Sequence, residues 1–260
     1  MKILILGDIV GRPGRNILKE NLEELKKAYD VDLIIANGEN AAGGNGITRK
    51  VADELFEMGI SLLTTGNHVW DQKEILQFID EEPRILRPAN YLEGTPGRGS
   101  AIIEVGEKKV GVLNLQGITF MPCNRNPFFV AEEEIKKLKR ETNIIIVDFH
   151  AEATSEKIAM GYFLDGKVSC VFGTHTHVQT ADEKILPQGT AYITDIGMTG
   201  PYESVLGIDK DLIIKRFTSS VPVRFEVAKG PAQINAIVVE IDESTGKALK
   251  IERINKISSQ

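Results

Sequence analysis

Cysteine is nearly absent from this chain. The two present, Cys123 and Cys170, lie far apart in sequence and in no metal-binding spacing. That excludes a disulfide-built scaffold and a thiolate metal cage, and both residues read as structural. No apolar run approaches the roughly 20 residues of a membrane span. The leading run, residues 3–6, is cut by Gly7-Asp8 before a secretory signal could be complete, so a reducing cytoplasm is the expected compartment. A basic excess is also missing. The net charge is -6, which argues against a broad nucleic-acid-binding face but leaves room for one nucleotide or a short RNA end. No internal repeat or low-complexity tract divides the 260 residues, and residues 1–260 read as one domain.

Histidine is scarce as well, and its placement is informative. All four sit in three polar motifs, each ending an apolar run: Gly66-Asn67-His68, Asp148-Phe149-His150 and Gly173-Thr174-His175-Thr176-His177. Two further motifs of this kind carry acids, Gly7-Asp8 and Asn37-Gly38-Glu39-Asn40. Five hydrophobic strands would each deliver one or two metal-ligand side chains from their C-terminal ends. In an open α/β sheet those ends converge on one crevice.

The first half of the chain alternates strand and helix. Residues 2–6, 31–36 and 60–64 read as strands. Residues 11–27, 49–58 (with Thr48 as N-cap) and 71–79 read as helices. Strands separated by amphipathic helices imply parallel pairing with right-handed crossovers. Residues 100–105 and 109–115 form an expected hairpin, 131–140 a charged helix, 143–147 and 168–172 apolar strands, with a helix over 154–162 between them. Residues 189–194, 224–227 and 233–241 read as antiparallel strands closing a second sheet. The fold class is therefore α/β, a four-layered α-β-β-α sandwich of two mixed sheets. Residues 194–223, long and poor in pattern, are expected to cover the active site or make a homo-oligomer contact.

Each motif has a plainer reading. Asp8 alone could cap the helix behind it, and Gly11-Arg12-Pro13-Gly14-Arg15 lacks the pattern and lysine of a P-loop. Glu39-Asn40 could be turn chemistry before glycines. Yet a carboxylate can bridge two cations and an amide oxygen can join it. Asn67 is a common turn residue, and His68 beside it suits proton transfer near neutrality. His150 alone is a core histidine. His175 and His177, at i and i+2, would share one side of an extended segment. Together the donors are oxygen and imidazole without thiolate, a set for iron, manganese or zinc. Two such ions about 3.5–4 Å apart can activate a bridging hydroxide for in-line attack on phosphorus.

The order Asp, acid, Gly-Asn-His, His, Gly-x-His-x-His resembles the calcineurin-like metallophosphoesterases. The segments Gly7-Asp8-Ile9-Val10-Gly11-Arg12-Pro13-Gly14-Arg15, Asn37 to Gly44, Gly173 to Asp182 and Thr194 to Pro201 are similar to the bacterial YmdB branch. Two departures from the wider pattern are visible. Val10 stands where an Asp-x-His motif would supply imidazole, and Glu39 replaces an aspartate; Asn40 is placed to fill the vacancy.

The resemblance implies one metal held by Asp8, Glu39, Asn40 and His177, and another by Glu39, Asn67, His150 and His175. His68 would then donate the proton to the leaving oxygen. It further implies a phosphodiesterase for 2′,3′- or 3′,5′-cyclic nucleotides using two transition-metal ions, iron first, with a part in RNA turnover. A phosphomonoesterase or nucleotidase on the same metals, and a regulatory RNA- or protein-binding module with structural metal, remain open. Arg12, Arg15 and Glu152 flank the motifs and are candidates to touch substrate. Thr154 reads as a cap for residues 155–162. Asn124-Arg125-Asn126 reads as either a base contact or solvated loop, and Asp195 as a support for a ligating imidazole.

Overall fold

The structure is a computed structural model that describes residues 1–122 and 125–258. Cys123 and Asn124 lie outside the described residues. Two mixed sheets pack face to face. The first runs β2 (Asp8–Ile9), β12 (Met198–Pro201), β13 (Ala232–Ile241), β1 (Lys2–Leu6), β3 (Leu33–Asn37), β4 (Leu62–Thr64) and β5 (Ile85–Leu86), with β14 (Ala248–Ile257) paired to β13. The second runs β10 (Lys184–Ile185), β11 (Ala191–Ile193), β9 (Cys170–Thr174), β8 (Ile144–His150), β7 (Lys108–Gln116) and β6 (Ser100–Val105). Helices α1 (Gly11–Tyr29) and α2 (Arg49–Glu57) cover the first sheet, and α3 (Pro127–Leu138) and α4 (Thr154–Leu164) the second.

Side-chain alternation builds these layers. On β1, Leu4 and Leu6 pack with Ile17, Leu18 and Leu22 of α1, while Ile3 and Ile5 enter the core between the sheets. On β8, Ile145, Val147 and Phe149 meet α3 and α4, while Ile144 and Ile146 face the inter-sheet core. The same two-residue step carries on to Asp148 and His150, which are polar yet fully buried. The parallel strands β3, β4, β8 and β9 all end on one edge of this sandwich, with Asn37 opposite Thr64 and His150 opposite Thr174. That edge is where the motifs collect.

The expected sandwich is present, and several elements differ from expectation. Residues 71–79 hold only a 3-10 turn, Lys73–Gln77, in place of an α-helix. Thr48 does cap α2, accepting from the Val51 N–H at 3.4 Å. Thr154 does not cap α4, whose N-cap is Ala153 without a side-chain bond. Residues 224–227 make only an isolated bridge, Ile208 with Val227. β11 pairs parallel, not antiparallel, with β9. β13 joins the first sheet beside β1, because its Ile237 and Val239 complete the inter-sheet core there. The segment 194–223 contains β12 and a further helix, α5 (Lys210–Thr218). Arg125 pairs with Glu133 at 2.6 Å and Asn126 caps α3, accepting from Phe128 N–H at 2.9 Å.

Candidate metal centre

Every one of the eight singled-out side chains reaches the same edge, in two groups. In the first, His150 Nε2 lies 3.1 Å from Glu39 Oε1, 3.0 Å from Asn67 Oδ1 and 3.1 Å from His175 Nδ1. Donor atoms of Glu39, His150 and His175 all fall within 4.8 Å of one another. In the second, His177 Nε2 lies 3.2 Å from Asn40 Oδ1 and 3.9 Å from Asp8 Oδ1. His68 stands beside both groups on the cleft wall; its N–H donates to Glu39 Oε2 at 3.1 Å and its ring Nδ1 lies 2.8 Å from Asp71 Oδ2.

Glycine makes the first group possible. A Cβ on Gly66 would stand 2.2 Å from the His150 ring, so only glycine lets the Gly-Asn-His turn approach that imidazole. The histidine turn differs from the expected extended segment. β9 ends at Thr174, and His175 and His177 adopt φ of 96° and 64°, in the left-handed region. The two imidazoles therefore address different groups because the backbone turns, not because strand alternation continues. Such conformations cost about 1–3 kcal/mol each and persist only where the surroundings enforce them. Here Asp195 does so from below: its Oδ2 accepts from Thr176 N–H at 3.2 Å, Thr176 Oγ1 at 2.7 Å and Lys157 Nζ at 2.7 Å. Asp195 thus supports Thr176 between the histidines rather than an imidazole.

Tautomers follow from the outer contacts. Thr174 Oγ1 donates to Asp148 Oδ1 at 2.7 Å, so its oxygen accepts from His150 Nδ1–H at 2.9 Å and Nε2 is left facing the cleft. Asp148 also accepts from Asn37 Nδ2 at 3.3 Å and from Thr64, tying β3, β4, β8 and β9 together. Leu206 O accepts from His177 Nδ1–H at 3.0 Å, again exposing Nε2. Asn40 donates its amide to Gly44 O at 3.0 Å, which turns its oxygen toward His177.

Charges in the site are strongly perturbed. Burial raises the Asp8 carboxyl well above the usual carboxylate range, and the His150 charge offsets only part of that. Burial would also raise Glu39, but the His150 charge and its hydrogen bond, with His68 adding to both effects, hold it down at about 2. His150 is the reverse: burial would lower it, and Glu39, Asp8 and Asp148 push it up to about 9. Burial and the neighbouring His150 charge press His175 down to about 3, and burial lowers His177.

These atoms fit a cation. His177 is held neutral with its Nε2 lone pair aimed at Asn40 Oδ1, and nearby Asp8 Oδ1 is buried without a hydrogen-bond partner among the described residues. Two acceptors, His177 Nε2 and Asn40 Oδ1, thus face each other beside an unpartnered carboxyl oxygen, an arrangement a positive ion resolves. The donor set, oxygen and imidazole, is that of a borderline transition metal.

A family model for YmdB-like proteins matches residues 4–254. The chain belongs to the YmdB-like family. It is 53% identical over 254 residues to the 2′,3′-cyclic-nucleotide 2′-phosphodiesterase of Bacillus subtilis (strain 168), covering 98% of this chain and 96% of that one. The YmdB-like fold superposes with a TM-score of 0.93 on a phosphatase crystal structure from Mycoplasma pneumoniae, at 42% identity over 99% of this chain and 93% of that one. A Thermus thermophilus protein gives the same TM-score at 37% identity, with both chains fully covered. More distantly, the NAD nucleotidase of Haemophilus influenzae shares the fold alone, with a TM-score of 0.65 at 14% identity over 99% of this chain and 56% of that one.

Four supporting residues of this YmdB-like site were not assigned roles from sequence. Asp148 and Thr174 fix His150, Asp71 holds His68, and Lys157 anchors Asp195. Asp148 stands two residues before His150 on an apolar strand, a signal that alternation alone could have flagged. Lys157 had none, being one polar residue of a helix.

Proposed function

We propose that this protein is a dinuclear-metal phosphodiesterase that hydrolyses cyclic nucleotides, with 2′,3′-cyclic nucleotides as the leading substrate. The observation that carries it is the pair of facing lone pairs at His177 and Asn40 beside the unpartnered Asp8 oxygen, next to the convergence of Glu39, Asn67 and His175 on His150. Asp8, Asn40 and His177 would hold one ion and Asn67, His150 and His175 the other, with Glu39 shared. Oxygen and imidazole donors suit iron, manganese or zinc, and the family resemblance puts iron first. When bound, such a pair supplies Lewis acidity and an activated water for attack on phosphorus.

The remaining chemistry belongs to the chain. Asp71 accepts from His68 Nδ1–H and keeps Nε2 directed into the cleft, where it can hand a proton to the departing ribose oxygen. Asp148 and Thr174 hold the His150 tautomer, and the Asp195–Thr176 contact holds His175 and His177 apart. Glu152 Oε2, 3.1 Å from His175 Nε2, accepts its proton and frees Nδ1 for the centre. Leu206 and Ile208, from the segment 194–223, wall the cleft and restrict water. The name of the Bacillus subtilis relative supports the 2′,3′-cyclic substrate.

Elemental analysis of the purified protein, with bis-p-nitrophenyl phosphate and 2′,3′-cyclic AMP assayed on the same sample, tests this reading. About two metal equivalents with diester turnover are expected. Two equivalents with faster cleavage of 5′-nucleotides would make the protein a nucleotidase instead.

A further inference from the structure

A hollow of about 770 Å³ lies beside the metal cleft, between the start of α1 and the segment 224–230. It shares Gly43, Phe225 and Val227 with the cleft, itself about 610 Å³, so the two are contiguous. Arg12, Arg224 and Lys229 line the hollow. None of the three makes an ion pair or a side-chain hydrogen bond among the described residues. Arg15, three residues beyond Arg12, is by contrast engaged by Glu54 at 2.9 Å and by Ala41 O. Glu20 and Glu226 also line the hollow, leaving an excess of one positive charge in a chain of net charge -6. Free guanidiniums present planar forks of donors matched to phosphate oxygens.

We propose that this hollow is a subsite for a second phosphate group of the substrate. The inference rests on the reading of the cleft as a cyclic phosphodiesterase site. When the 2′ and 3′ oxygens of a ribose carry the cyclic diester, its remaining position for a phosphate is the 5′ oxygen. The reacting diester sits at the metal cleft and the 5′-phosphate enters the hollow, meeting Arg12 and Arg224. Arg12 is four residues from Asp8, so their backbones are separated by at most about 14 Å. Phe225, 48% exposed on the boundary between the two spaces, offers an aromatic face to a base. The 5′-phosphate has two possible sources, a 5′-phosphorylated mononucleotide or the end of an RNA chain, and both present the same group to the arginines.

The test compares kcat/KM of the metal-loaded protein for 2′,3′-cyclic AMP, for its 5′-phosphorylated form, and for the dinucleotide ApA ending in a 2′,3′-cyclic phosphate. Both phosphorylated substrates are expected to exceed 2′,3′-cyclic AMP by about tenfold. In Arg12→Ala/Arg224→Ala that ratio should fall to about one, while Arg12→Lys/Arg224→Lys retains part of it and shows that the hollow is still folded. A dinucleotide advantage over the 5′-phosphorylated mononucleotide, lost in Phe225→Ala, would assign an RNA end; a mononucleotide advantage would assign the mononucleotide, and equal rates would show that the hollow reads the shared phosphate alone. A wild-type ratio near one, or a ratio indifferent to the arginine substitutions, overturns the subsite and leaves the cleft reading intact. Absence of turnover on all three with two metals bound overturns both.

Discussion

Lys157→Met isolates the buried support of the histidine turn. Lys157 and Asp195 have side chains only 2% and 1% exposed and are 2.7 Å apart. At that separation their gross attraction is about 6 kcal/mol with an effective dielectric constant of about 20. Methionine keeps an unbranched stem of similar length, so packing beneath Gly173 changes little and the main loss is the charge. Asp195 then keeps three donors, the Thr176 N–H, Thr176 Oγ1 and Gly197 N–H, but no cation. Breaking one side of a buried pair costs about 3–5 kcal/mol.

For a chain of 260 residues the unfolding entropy is about 0.55 kcal/mol/K, so about 4 kcal/mol lowers Tm by about 7 °C. Thermal denaturation of the metal-free protein, followed by circular dichroism, measures this. The double variant Lys157→Met/Asp195→Asn, which removes the stranded charge, should recover at least half of the loss. A shift below about 2 °C, corresponding to about 1 kcal/mol, would refute the reasoning. So would a double variant no more stable than the single one, because the charge would then not have been the source of the cost.

Glu39→Ala is expected to empty both metal positions; full metal content by elemental analysis would sink the shared-ligand assignment. His68→Ala should lower turnover by about 10²–10⁴-fold while metal content stays near wild type, and loss of metal would make His68 a ligand instead. Metal uptake should release a proton from His150. With its pKa at about 9, that imidazole is protonated at pH 7, and an ion must displace the proton from Nε2. This group alone raises apparent metal affinity about tenfold per pH unit up to about pH 9, where the gain ends. Calorimetric titration in buffers of different ionisation enthalpy reads the released proton directly, and identical heats in all buffers would contradict it.

Much of this site was legible because its chemistry is written at strand ends. The apolar runs before Glu39, Asn67, His150 and His175 are strands in the structure, and their termini lie on one edge, so ligand-type residues following a run had to meet there. The helix expected over 71–79 failed for a local reason. Val69, Ile75, Phe78 and Ile79 are buried by the surrounding core, and that demand is met by a short 3-10 turn. β14 and the true place of β13 were not legible either, since an alternating strand does not state which sheet it will join.

The sequence by itself determined the two-sheet α/β architecture, the family and the eight side chains that gather at the candidate centre, because periodicity and motif order are local properties of the chain. Only the tertiary structure decided how those side chains are aimed. The His150 tautomer depends on Asp148 and Thr174, the turn at Thr176 on Asp195 and an α4 lysine, and His177 on a carbonyl at Leu206. These are hydrogen bonds between residues up to 38 positions apart. They exist only once the two sheets have closed on each other and excluded the water that would otherwise have satisfied every one of these groups.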